Sequence, residues 1–278
     1  MGLIDFILNL AGLLLWLNWR SVRFDPLGKR TPATLIGTLR RAEPRRLRRW
    51  HLLAALGGLL LLRALFYWQI GSAAHWTGTL NLSVITLSFR SDYFVRMLLF
   101  SIFSFGLTLG VFYLWLLLLS ILAGPELLPF HRLVRMPLGG VDRWARGVKF
   151  LLPLIVTATF WWLASWLLAW LQVIPEPVSP AHRIEESLVI GLGSYLTWKH
   201  LIGALLVLHL LNSYIYFGKH PFWSYVNAGA QALLSPLRVV PLRAGKVDFA
   251  PVVGIVLVFL VAELAGRGLV LLYEKLPF

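Results

Sequence analysis

The chain contains no cysteine, and only 12 of its 278 residues are acidic. Without cysteine there is no disulfide, no iron–sulfur ligation and no thiol nucleophile, although the absence identifies no compartment. Charged residues make up 14% of the sequence, against about a quarter in soluble domains. Also missing are a glycine-rich phosphate loop after a strand, a G-x-S-x-G turn, an H-E-x-x-H pair and paired carboxylates on one helix. These are the short motifs through which a sequence announces common catalytic chemistries, so a non-enzymatic chain is expected.

What is abundant is apolar surface. Hydrophobic residues account for 58% of the chain, and the mean hydropathy is +0.75. A composition this apolar over this length fits a polytopic membrane protein. The net charge of +14 then reads as basic loops held against anionic lipid headgroups on the cytoplasmic side, and no nucleic-acid partner is expected. The most informative stretch is 200–272. Apolar runs at 200–218 and 251–272 are each long enough to cross a hydrocarbon core of roughly 30 Å. Between them Phe222, Trp223, Val226, Ala230, Leu233, Leu234 and Leu237 recur at three- and four-residue intervals, with Ser224, Asn227, Gln231 and Ser235 on the other side. That periodicity predicts an amphipathic helix over 221–236, ended by Pro236 and lying along the membrane surface.

Around this helix a pattern emerges: Pro221-Phe222, Ser235-Pro236-Leu237-Arg238, Pro241, and Val247-Asp248-Phe249-Ala250-Pro251. In order and spacing it resembles the YggT family of small bacterial and plastid membrane proteins. There, a spanning helix leads through an NPF-like start into a surface helix, and a G-G-I-D-L-S-P-like segment opens the next span. The chain departs from that pattern at Lys219-His220, at the single Arg238 and at Ala250. The resemblance covers about a quarter of the chain. It implies a bacterial inner-membrane protein that acts as a scaffold or assembly factor. An ion channel or transporter linked to osmotic tolerance is the alternative, and an accessory subunit with a haem-related assembly role a second one.

Earlier segments fit a multi-pass layout. Residues 3–19 are apolar but short, with Asp5 and Asn9 one turn apart, and read as a span without a cleavage site behind it. Loop 20–50 carries ten Lys or Arg and is the expected lipid-headgroup contact. Residues 51–71 form the next span. Residues 72–96 alternate in part (Ile85, Leu87, Phe89) and suggest a strand or extended cap outside the membrane, with Ser91-Asp92 opening the following helix. Residues 97–172 contain a span, Pro129-Phe130, Gly139, Gly140 and Asp142, and a second span opening near Pro153, so they read as a degenerate copy of the 200–278 unit. Trp161, Trp162, Trp166 and Trp170 are expected to form an aromatic belt, and 173–199 an outer loop. The expected fold is therefore all-α and polytopic: five or six transmembrane helices, arranged as two parallel YggT-like hairpins with cytoplasmic amphipathic segments, after an N-terminal region 1–96. Lys and Arg number ten, five and four in loops 20–50, 124–149 and 219–250, against two, two and one in 72–96, 173–199 and 273–278. The alternation places the first set in the cytoplasm and the C-terminus outside.

Five polar residues fall within or beside the predicted spans: Arg63, His209, Asn212, Glu263 and Arg267. A charge at the bilayer centre costs at least about 2.5–3.5 kcal/mol on insertion scales, so each requires a partner or water. Glu263 and Arg267 are spaced to pair along one helix face. Depth counting also sets Arg63 level with Glu263 and near His209, as an ion pair within the bundle or a polar relay. His209 alone lies well inside a span, so neither haem nor a metal site is expected. Asp142 and Asp248, each shortly before a span, are expected to cap helix N-termini. The neutral surface helix, poor in Lys and Arg, is expected to pack in a protein groove, and a protein partner or homo-oligomer is anticipated.

Overall fold

Among the described residues, six segments are long and apolar enough to cross a membrane: Gly2–Arg20, Trp50–Gly71, Phe94–Leu122, Arg146–Trp170, Pro180–Tyr214 and Ala250–Glu274. The computed structural model describes residues 2–21, 49–73, 76–122, 134, 136–175, 179–215, 220–239, 243–244 and 247–276. Within them the chain forms eight α-helices and two small β-hairpins. It is an all-α, multi-pass membrane protein. Most of basic loop 20–50, Pro129-Phe130 and Pro241 lie outside the described residues.

The chain divides into two units, 1–78 with 89–109 and 79–88 with 110–278. The first unit begins with α1 (Gly2–Ser21) and α2 (Arg49–Ala73), which pack on one another. The segment 72–96, expected to be extended in part, forms strands β1 (Thr77–Asn81) and β2 (Thr86–Arg90). Their alternate residues are buried, Leu80, Leu87 and Phe89 among them, as a two-residue period requires. Asn81 Oδ1 accepts the Ser83 N–H at 2.9 Å, and Ser83 takes a φ of 69°, which turns the chain between the strands. Helix α3 (Phe94–Leu122) follows and passes from the first unit into the second. In the first unit, Tyr67, Trp76, Phe89 and Phe100 form an aromatic cluster beneath the hairpin base.

In the second unit a 3-10 turn (Gly139–Arg143) leads to α4 (Arg146–Trp170). Gly139 has a φ of 62°, a conformation that glycine enters without steric cost. Residues 173–199 are not the expected outer loop. Ser179 Oγ accepts the His182 N–H at 3.1 Å and Pro180 sits in the first turn, so the chain starts α5 (Pro180–Gly193). A 3-10 turn (Ser194–Thr197) joins α5 to α6 (Trp198–Tyr214) in one long segment. Ser187 Oγ donates to the Arg183 carbonyl one turn back, and Tyr273 of the last span donates to Glu186. Helix α5 packs along α4, with Gly191 on Leu154 and the Tyr195 hydroxyl on the Phe150 carbonyl.

The predicted amphipathic helix is present as α7 (Pro221–Leu233), followed by a 3-10 turn (Ser235–Val239). It buries Tyr225, Val226, Gly229 and Ala230. Leu206, Ala230 and Leu234 form a small core against which Ile202, Leu237 and Ile255 pack, so the apolar face seats on α6 and the start of α8 (Ala250–Glu274). Strands β3 (Arg243–Ala244) and β4 (Val247–Asp248) pair just before α8.

Candidate functional site

The intramembrane polar residues fall into separate clusters. In the first unit Arg63 is buried, its side chain 1% exposed, and Asp5 supplies the counter-charge at 2.6 Å. Arg63 Nη1 donates to Asn9 Oδ1 at 2.7 Å and Nη2 to Ser104 Oγ at 2.8 Å, while Asn9 Nδ2 donates to the same Ser104 oxygen. Tyr67 adds its hydroxyl to Asp5 at 2.6 Å, and the guanidinium lies 5.6 and 5.5 Å from the centres of the Tyr67 and Phe100 rings. The antiparallel geometry explains the meeting. Asp5 is 16 residues from the Ser21 end of α1 and Arg63 is 14 from the Arg49 end of α2, about 24 and 21 Å respectively at ~1.5 Å per residue. Asp5 and Asn9, one turn apart, thus present one polar face to Arg63.

His209 and Asn212 on α6 converge on α7. His209 Nδ1 lies 2.9 Å from Asn227 Oδ1, which also accepts from Asn212 Nδ2 at 3.2 Å. Spaced three apart, the two residues share one face of α6, and Asn227 is the polar tooth that fits it.

At the near end of α4 lies a buried pair that sequence reasoning did not identify. Lys149 Nζ lies 3.8 Å from Asp142 Oδ1, both side chains 7% exposed, with Ser120 Oγ bridging them by accepting from Lys149 at 2.8 Å and donating to Asp142 at 2.6 Å. Asp142 therefore does not cap the following helix. The N-cap of α4 is Ala145, with no side-chain cap bond, because the carboxylate is drawn to the ammonium one turn into the helix. Tyr225 of α7 donates its hydroxyl to the Leu119 carbonyl at 2.8 Å. Burial, and secondarily the Asp142 charge, pushes that hydroxyl above its ordinary pKa and keeps it a donor. At the other expected cap, Phe249 occupies the N-cap position of α8 and Asp248 lies in β4 opposite Arg243.

The other motif positions have clear structural places. Pro221 opens α7 with Phe222 behind it, Pro236 and Arg238 lie in the 3-10 turn after α7, and Pro251 is buried in the first turn of α8. Gly139 and Gly140 open the turn that carries Asp142.

The Glu263 carboxylate finds its partner on its own helix. Arg267 Nε donates to it at 3.0 Å, and the two side chains are 61% and 72% exposed. Arg63, expected level with Glu263, is paired instead with Asp5 of its own unit. Glu263 and Arg267 border a cleft of about 660 Å³, whose wall includes Asn81, Ser83, Lys199, His200 and Glu274. Of the four tryptophans expected as a belt, Trp162, Trp166 and Trp170 are exposed, whereas Trp161 is buried. Among the described residues no group of three or more His, Asp or Glu is placed to hold a metal.

No protein-family model, no curated protein and no solved structure matches this chain.

Proposed function

We propose that the chain is a non-enzymatic scaffold or assembly factor of the YggT type in the bacterial inner membrane, with its basic loops cytoplasmic, its C-terminus outside and loop 20–50 on anionic lipid headgroups. The observation that carries this reading is the state of α8. Only Pro251 and Gly254 are buried on it, while the ion pair Glu263–Arg267 sits halfway along with both side chains open. A charge pair at that depth is costly against hydrocarbon. Another polypeptide that lays a polar side chain beside it removes the cost, and an assembly factor requires such a face. The likeness of 200–278 to the family, and of 97–172 to a degenerate copy of that unit, supports the same reading through the motif residues alone.

A channel or transporter is the second reading. The cleft beside Glu263 and Arg267, with Lys199, His200 and Glu274 in its wall, favours it, because water in that cleft would hydrate the pair equally well. Purification in mild detergent, with measurement of mass and co-purifying chains, separates the two. A stoichiometric partner of different sequence supports the scaffold. A protein that runs alone or as a homo-oligomer, and conducts ions in liposomes, supports the channel.

A further inference from the structure

Arg183 is a buried charge of the second unit that the clusters above do not account for. It lies in the first turns of α5, only 8% exposed. Its one side-chain interaction among the described residues is a stack on Trp166, 3.9 Å from guanidinium carbon to ring centre. The buried Nε has no hydrogen-bond partner. Neither acid on the same helix forms an ion pair with it: Glu186 accepts from the Tyr273 hydroxyl and Glu185 is exposed. A guanidinium carries five donors and is always charged, so among the described residues this buried cation is left without an anion.

Its position says which anion is at hand. Trp170 is the last residue of one span and Pro180 the first of the next. Trp166 lies four residues inside the first boundary and Arg183 three inside the second, roughly 6 and 5 Å at ~1.5 Å per residue. The exposed ridge Trp162, Trp166, Trp170 repeats every four residues along the same end of α4, as aromatic rings do at headgroup depth. Tyr273, near the end of α8, reaches Glu186 one turn further along α5, so three helix ends meet at this level.

We propose that Arg183, held over the Trp166 ring, binds a phosphate-type anion, and that the anion is the phosphodiester of a membrane lipid. Stacking orients the guanidinium fork so that its open edge meets two phosphate oxygens in one plane, the geometry for which arginine surpasses lysine. The site lies at the opposite end of α4 from Lys149.

The test uses the full chain, stripped of lipid in detergent and titrated with phosphatidylglycerol under native mass spectrometry. Wild type should hold one lipid more tightly than the rest. Arg183→Gln should weaken that first lipid roughly ten-fold, the scale for loss of a charge-assisted contact, and Arg183→Lys should restore only part of it. Trp166→Leu, which keeps the charge but loses the stack, should weaken it in the same direction and serves if Arg183→Gln does not fold. Inorganic phosphate at about ten millimolar should leave the first lipid in place, as a phosphodiester anchored by its acyl chains requires. Displacement by phosphate would make this a free-anion site and overturn the lipid assignment. Unchanged first-lipid affinity in the folded variants would overturn the site itself.

Discussion

Arg63 and Asp5 meet at 2.6 Å, so the charge in the second span is neutralised by a carboxylate from the first. Asn9, Ser104 and Tyr67 complete the network around them. The pair ties α1 to α2 at matching distances along two antiparallel helices. Asp5→Ala strands a buried guanidinium and should lower stability by about 3 kcal/mol. The double variant Asp5→Leu with Arg63→Leu should cost less than Arg63→Leu alone, because it removes both charges. Thermal unfolding in detergent, followed by circular dichroism, measures both.

Lys149, Asp142 and Ser120 make the corresponding lock in the second unit. Asp142→Asn retains shape but removes the counter-charge of a buried ammonium, and should destabilise by about 3 kcal/mol. Ser120→Ala should cost about 1 kcal/mol, since the ion pair survives without its bridge. Equal losses in a denaturant titration would contradict this ranking.

Asn227 satisfies His209 and Asn212 together. Asn227→Leu leaves both half-buried groups without that acceptor, at about 1 kcal/mol or more. The strain falls on the seat of α7, so limited chymotrypsin digestion should cut at Phe222, Trp223 or Tyr225 several-fold faster. Unchanged cleavage rates would show that α7 is held without this contact.

Gly254 sets how closely α8 approaches the turn after α7. A Cβ there would fall 2.8 Å from Leu234 Cδ2 and 3.3 Å from Leu206 Cδ1. Gly254→Val should therefore cost about 1–3 kcal/mol by overpacking, and Leu234→Ala should recover part of the loss. A double-mutant cycle on thermal stability reads this coupling directly.

Spans and surface helix were legible because hydropathy runs and a 3.6-residue period record which surface a segment buries. Partners were not. Depth counting set Arg63 beside Glu263, but depth is one coordinate, and which helix stands next to α2 depends on packing that no run of apolar residues encodes. The clue was local: Asp5 and Asn9 on one face of α1 form a polar stripe that needs a cation. Residues 173–199 read as a loop because Arg183, Glu185 and Glu186 depress their hydropathy. Helix α5 nonetheless starts at the Ser179 cap and Pro180, with Arg183 over Trp166 and Glu186 on the Tyr273 hydroxyl, contacts distant in sequence. Asp142 read as a cap because it precedes a span, and Lys149 is what claims it instead. Gly139 was read only as a motif position, and its place in a turn shows in its positive φ rather than in the sequence pattern.

The scaffold reading rests on what covers the middle of α8. The chain has no cysteine and thus accepts single introduced probes cleanly, but a photo-crosslinking residue at position 264, beside Glu263 and exposed, reports on protein and lipid alike. After irradiation in native membranes, the account predicts a discrete adduct between position 264 and another polypeptide of different sequence, identified by peptide mapping. Adducts with lipid alone, or none above background, would contradict it.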